Sequence, residues 1–233
     1  MGILKPFKDL PLFLQTEDTK RVYDSLTRKK GQLLLKWLFD KVLSLCLLIL
    51  FLPVFLFFSV WIKLDSKGPV FYRQDRVTQY GRVFKIFKFR TMVVDADKIG
   101  SLVTVGQDNR ITKVGRIVRK YRLDEIPQLI NVLLGDMSFV GTRPEVPKYT
   151  ACYSDEMNST LLTLAGITST ASIEYKEEDT VLEKYVSQGG QVDTVYVEKI
   201  LPKKMAYNRK DIEEFSFLND IKIMWRTFIA VLK

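Results

Sequence analysis

No histidine occurs anywhere in the 233 residues, and cysteine occurs only twice, at Cys46 and Cys152. The first absence removes Ser–His and Cys–His nucleophile pairs, imidazole general bases and histidine-ligated zinc together. The second rules out a disulfide framework and a cysteine metal cluster. Internal repeats and low-complexity linkers are missing too, so the chain does not read as a repeat array or as tethered modules. Any acid–base or nucleophilic chemistry must fall to carboxylates, lysine, tyrosine, serine or threonine.

What is present is an apolar fraction of 47%, enough for a sizeable core, and a formal net charge of +9. The length fits one ordinary domain with an appendage. The positive surplus lies in the first two thirds of the chain, and residues 151–233 are net acidic. Such a distribution suits an anionic membrane surface or a polyphosphate. Nucleic acid is the other usual partner of this charge.

The run "VLSLCLLILFLPVFLFFSVWI", residues 42–62, carries no charge and is closed by Lys41 and Lys63. It has the length of a membrane helix, about 20 residues for about 30 Å of hydrocarbon. A cleaved leader would lie nearer the N-terminus and end in small residues. A buried core helix rarely lacks a polar face over this length. Pro53, at the middle, removes a backbone hydrogen bond and predicts a kink. Both flanks are basic, with Lys36 and Lys41 before and Lys63, Lys67, Arg73 and Arg76 after. A straight span would carry one flank across the membrane against the usual bias of Lys and Arg. A re-entrant helix broken at Pro53 keeps both flanks on one side, which charge symmetry favours. A kinked spanning anchor is the other reading, since prolines are tolerated there. Residues 1–41 read as an amphipathic N-terminal segment. Its "GQLLLKWLFDKVLSL" stretch is a helix feeding the apolar run, with Trp37 near the expected interface. The residues before it read either as a membrane-surface segment or as a peripheral helix.

Beyond the turn at Gly68 and Pro69, "PVFYRQDRV" and "RVFKIFKFRTM" alternate apolar and polar residues around Gly81, which predicts a β-hairpin. Phe84, Ile86 and Phe87 supply packing, although Val83 falls out of phase. Lys85, Lys88 and Arg90, with Arg73 and Arg76, are either a solvated face or phosphate ligands. The stretch "DNRITKVGRIVRKYRLDEIPQLINVLLGDMSFVG" predicts a short helix over "TKVGRIVRKY" capped by Asp108, then a helix from near Pro127 to Gly135. Asp124 and Glu125 fall at the start of the second helix. There they either cap it and pair with Arg119 and Arg122, or mark an anion-binding helix end. Arg143, held extended before Pro144, can reach back to the same place. "YKEEDTVLEKY" and "VYVEKILPKKMAYNRKDIEEF" read as polar helices or turns around Pro202. "FLNDIKIMWRTFIAVLK" has a helical apolar stripe, expected to pack on the core and otherwise to lie on the membrane.

The ordered set "GPVFYRQDRV", "FKIFKFRTM", "DNRITKVGRIVRKYRLDEIPQLINVLLGDMSFVGTRPEVP", "AGIT" and "FLNDIKIMWRT" resembles the bacterial sugar transferases. These are the monotopic polyprenyl-phosphate phosphoglycosyl transferases that begin glycan assembly on a lipid carrier. The resemblance covers the chain from about Lys36 onward. It implies transfer of a phospho-sugar from a UDP-sugar to undecaprenyl phosphate, with release of UMP. Asp124 matches the family nucleophile, which forms a covalent aspartyl phospho-sugar, and is also placed at the metal. Glu125 matches its partner acid, expected to help with magnesium or proton handling. Lys88, Arg90, Arg119 and Arg143 match phosphate-holding positions, and Pro53 matches the break of a re-entrant helix. The cofactor implied is Mg2+. The partners are a UDP-sugar, undecaprenyl phosphate and membrane lipid, with no nucleic acid and with a homo-oligomer left open. The location implied is the bacterial inner membrane, with the catalytic part on the cytoplasmic face. A non-catalytic membrane scaffold and a glycosyltransferase releasing UDP are the competing classes.

The chain departs from the family pattern at Thr142, where a proline is usual, at Ala165, where a proline is common, and at Ser169 and Thr170, which replace Gly-Leu. The expected fold is α+β and predominantly helical. It comprises the segment 1–41, a membrane-embedded helix over 42–63 broken at Pro53, and a small catalytic domain over 64–233 built from a β-hairpin and surface amphipathic helices. No second domain of the kind that extends some relatives at the N-terminus is expected.

Overall fold

The computed structural model describes residues 4–96, 108–175 and 178–232. The fold is predominantly helical, with one antiparallel hairpin and one short parallel strand pair among the described residues. Helix α1, Glu17–Thr27, starts where the Thr16 side chain accepts a hydrogen bond from the Thr19 N–H. It buries Thr19, Val22, Tyr23 and Leu26, a spacing that forms one helical face. That face packs with Leu10 and Leu14 against Leu161, Leu162, Ile212 and Phe215. One face of these early residues is thus packed on protein, while Leu12 and Phe13 stay exposed.

Helices α2, Lys30–Leu50, and α3, Leu52–Asp65, are bent by 60° about Phe51. The kink expected at Pro53 thus falls two residues earlier, and Pro53 stands in the first turn of α3. A first turn has no use for the missing N–H, so the chain breaks before the proline rather than at it. No single described helix is long and apolar enough to cross a membrane, but this bent pair meets that length and composition together. Leu38, Val42, Leu45 and Ile49 of α2 and Leu52, Leu56, Phe57 and Val60 of α3 stay exposed. Contiguous apolar exposure of this size is not that of an ordinary soluble surface.

Strands β1, Phe71–Val77, and β2, Val83–Phe89, form the predicted hairpin, with Phe71 opposite Phe89 and Val77 opposite Val83. Tyr80 and Gly81 turn the chain with positive φ of 60° and 75°. Phe84, Ile86 and Phe89 are buried, whereas Val83, the residue out of phase, is exposed. Helix α4, Lys113–Lys120, is capped by Thr112, whose side chain accepts from the Gly115 N–H. Asp108, the cap expected from sequence, pairs instead with Arg110 at 2.6 Å. Helix α5, Gln128–Leu134, begins behind Pro127 and ends at Gly135 with φ 88°, as its sequence predicts.

The parallel pair β3, Met137–Val140, and β4, Ala165–Thr168, is not predicted by the sequence reading. Both strands are short and all of β3 is buried, so neither shows an alternating pattern. The Ala165 N–H donates to Thr78 Oγ1 at 3.1 Å, a bond that a proline at 165 could not make. Ser169 caps helix α6, Thr170–Glu174, accepting from the Ser172 N–H, and Thr170 donates twice to Asp211. The departures at 165, 169 and 170 thus each take part in a hydrogen bond of their own.

Helix α7, Glu178–Ser187, is followed by a continuous helical stretch from Val192, with a π turn over Tyr196–Ile200, into α8, Leu201–Glu213. Lys176 and Glu177, part of the "YKEEDTVLEKY" reading, lie outside the described residues. Helix α9, Phe217–Leu232, packs Ile223 and Met224 on the core and leaves Leu218, Trp225 and Phe228 exposed.

Close backbone contact sets where α4 lies. A Cβ on Gly115 would come within 2.0 Å of the Thr91 carbonyl oxygen. We expect Gly115→Ala to cost roughly 1–3 kcal/mol, the usual size of core overpacking, seen as a lower midpoint in thermal unfolding. An unchanged midpoint would show that α4 is free to shift away from Thr91.

Candidate active site

The paired acids sit where three elements meet. Helix α4 stops at Tyr121, and Arg122 turns the chain in the left-handed region, at φ 53°. A non-glycine residue there is uncommon, and it delivers a single 3-10 turn, Leu123–Glu125, directly in front of α5. Helix α5 is fastened to the hairpin by Asn131, whose Oδ1 accepts from the Phe87 N–H at 2.8 Å and whose Nδ2 donates to the Lys85 carbonyl at 3.0 Å. Its far end is held by Lys41, which donates to the Val132 and Leu133 carbonyls at 2.7 and 2.6 Å. A cation at a helix C-terminus also meets the negative end of the dipole.

Glu125 is clasped from two sides. Lys88 of β2 donates to its Oε1 at 2.9 Å, and Arg143 donates through both terminal nitrogens, at 2.5 Å to Oε1 and 3.2 Å to Oε2. Burial alone would raise this carboxyl, but Arg143 and Lys88 outweigh it and hold Glu125 well below the usual carboxylate range. Lys88 is itself pushed down by burial, against the pull of Glu125. Arg143 is held above its ordinary value, first by Glu125.

Asp124 is placed differently. Among the described residues no hydrogen bond or ion pair ties its carboxylate, and it lines a cavity of about 510 Å³. That volume is in the range of sites for small molecules. Burial raises Asp124 above the usual carboxylate range and neighbouring Glu125 adds to this, while Lys88, Arg119 and Arg143 act in the opposite direction. The cavity wall also carries Arg73, Arg76, Lys88, Arg90, Arg110 and Arg119. One wall of guanidinium and ammonium groups around a loose carboxylate favours an anion rich in oxygen, with phosphate the best match for arginine.

The residues singled out in the sequence divide by geometry. Asp124, Lys88 and Arg119 face the cavity, and Glu125 and Arg143 form an ion pair beside it. Arg90 also borders the cavity, but its guanidinium is engaged elsewhere. It donates to the carbonyls of Ser66, Lys67 and Pro69 and to the Ser66 hydroxyl, at 2.6–3.0 Å. Four of the five guanidinium N–H groups thus bind the end of α3 to β2, which makes Arg90 a clamp between the bent helix pair and the hairpin. Arg76, weighed in the sequence as solvated face or phosphate ligand, borders the cavity, and so does Arg110, which the sequence reading did not single out. For Arg76 the signal was its place among the hairpin cations, in phase with Gln74 along β1. Arg110 carried none, because its place depends on tertiary contacts such as its hydrogen bond to the Ala96 carbonyl.

A profile of the family described as bacterial sugar transferase matches residues 31–233. Among curated proteins, the UDP-glucose:undecaprenyl-phosphate glucose-1-phosphate transferase of Escherichia coli (strain K12) is 36% identical over 199 residues, 83% of this chain and 39% of that protein. The uncharacterized sugar transferase EpsL of Bacillus subtilis (strain 168) is 33% identical over 200 residues, 86% of this chain and 88% of EpsL. The UDP-N-acetylgalactosamine-undecaprenyl-phosphate N-acetylgalactosaminephosphotransferase of Aeromonas hydrophila is 48% identical over 96 residues, 41% of this chain and 23% of that protein. The chain thus spans most of EpsL and well under half of the other two. It belongs to the bacterial sugar transferase family.

Proposed function

We propose that this enzyme transfers a phospho-sugar from a UDP-sugar to undecaprenyl phosphate through a covalent intermediate on Asp124. The observation that carries this reading is the asymmetry of the acid pair: Glu125 is locked by Lys88 and Arg143, while Asp124 is left loose at the cationic cavity. An Asp124 carboxylate oxygen attacks the phosphorus that bears the sugar. A new O–P bond forms, the bond to the bridging oxygen breaks, and UMP leaves with that electron pair. An oxygen of undecaprenyl phosphate then attacks the same phosphorus and expels the Asp124 carboxylate, giving the diphosphate-linked sugar. Phosphoryl transfer of this kind demands positioning and charge neutralisation more than proton relays, so a site without histidine is sufficient.

Lys88 and Arg119 flank the reacting phosphate, and Arg143 acts through Glu125. Magnesium fits the donor set in a particular way. Among the described residues no group of three metal-ligating side chains surrounds one point, and Asp124 offers one hard oxygen donor. That matches the habit of magnesium to take one or two carboxylates and complete its shell with phosphate and water. When bound it would neutralise charge on the diphosphate. The bent α2–α3 pair would enter and leave the same leaflet, with its exposed apolar faces in lipid and the acid pair at the cytoplasmic surface of the inner membrane. The polyprenyl phosphate headgroup lies at that boundary.

The released nucleotide tests the reaction. With undecaprenyl phosphate, magnesium and a panel of UDP-sugars we expect UMP, and release of UDP or of nothing would overturn the proposal. Asp124→Asn is expected to lower turnover roughly 10⁴-fold or more, as loss of a covalent nucleophile does, with membrane association retained. Since Asp124 must be ionised to attack, kcat/KM should fall as pH drops through the range where its carboxylate takes up a proton, a range that burial moves upward in the metal-free site. Lys88 acts to lower Asp124, so Lys88→Met should move that acid limb to higher pH. A limb that stays put, or moves down, would separate Asp124 from the pH dependence.

A further inference from the structure

A second set of buried charges lies behind the cavity and reaches it through Arg76. Of the five N–H donors of a guanidinium, three of Arg76 are used among the described residues. Nε and one terminal nitrogen donate to Gln74 Oε1 at 3.1 and 2.6 Å, and the other terminal nitrogen donates to the Pro144 carbonyl at 3.0 Å. Two donors remain on a residue that lines the cavity, in contrast to the consumed guanidinium of Arg90. The next link is backbone: the Val77 N–H donates to the Glu145 carbonyl at 2.9 Å. Residues 76–77 and 144–145 are therefore stitched together by two hydrogen bonds.

The Glu145 side chain is 5% exposed, and its charge acts on Arg76. It accepts from the Tyr196 hydroxyl at 2.6 Å and lies 3.6 Å from Lys204 Nζ, which also donates to the Tyr196 oxygen and to Glu178 at 3.0 Å each. Tyr196 opens the π turn ahead of α8, and Lys204 belongs to α8. A buried carboxylate satisfied by two partners holds one position, because losing either partner leaves charge unpaired in a low-dielectric interior. Nothing in the chemistry assigned to Asp124 uses this network.

We infer that Arg76 is a further donor-binding residue, contacting the diphosphate of the UDP-sugar, and that Glu145 is its positioning residue, fixed from behind by Tyr196 and Lys204. The inference rests on the UDP-sugar reading of the cavity. Through it the C-terminal helices set the affinity of the site for its donor without touching the substrate.

The full chain in detergent micelles provides the test, with steady-state kinetics for the UDP-sugar and calorimetric titration of UDP as the binding probe. Arg76→Met and Glu145→Gln should each lower kcat/KM about tenfold, mostly through KM, and weaken UDP binding to match. The double variant should be no worse than Arg76→Met alone, since the two act as one unit. Tyr196→Phe removes one oxygen from a packed ring and should raise KM about threefold. It carries the test if circular dichroism shows either larger change unfolded. A purely structural network would lower the melting temperature with KM and UDP affinity unchanged, and would give additive losses, which overturns the inference. Wild-type protein that fails to bind UDP overturns the UDP-sugar reading itself. Wild-type binding that the variants retain in full overturns only the roles of Arg76 and Glu145.

Discussion

The ion pair of Glu125 with Lys88 and Arg143 is the constraint on which the rest of this architecture depends. It joins β2, the 3-10 turn before α5 and the extended segment after β3, three pieces of chain distant in sequence. Its cost of desolvation is met only because both carboxylate oxygens are bonded, one of them twice. With Glu125 so committed, its neighbour is the acid whose carboxylate is left unpaired among the described residues. Two adjacent carboxyl groups of the same kind are driven apart in character by what surrounds them, Glu125 downward and Asp124 upward.

The elements around that pair are fixed by polar contacts at helix ends more than by apolar packing alone. Asn131 substitutes for a neighbouring strand along β2, Lys41 closes the C-terminus of α5, and Arg90 closes the end of α3. In each case a side chain satisfies backbone groups that would otherwise be stranded. Arg90 links the bent apolar helix pair directly to the hairpin that carries Lys88, and Lys41 and Asn131 link the two in series through α5. The bent helix pair, the hairpin and the acid pair are thereby tied together.

Much of this was legible from residues alone. The hairpin followed from alternation, α5 from Pro127 and Gly135, and α9 from its stripe, because each is long enough or bounded sharply enough to show its period. The acid pair and its basic surroundings were legible as a cluster, and family motifs supplied their order. What stayed hidden was decided by tertiary partners. The cap of α4 went to Thr112 because Asp108 found Arg110, and β3 and β4 are too short and too buried to alternate. Arg90 and Arg76 look alike in sequence, both cations of the hairpin, yet one meets four acceptors at the end of α3 and the other keeps donors free for the cavity. Only packing separates them.

Lys41 is the last charged residue before the uncharged run and is bolted to the end of α5 through two carbonyls. In the proposed seating, the depth at which that run settles in the leaflet fixes the height of Asp124 above the lipid headgroups. In that seating bilayer thickness would act as a dial on the proposed reaction, by setting whether an acceptor phosphate and the Asp124 carboxylate stand at the same level.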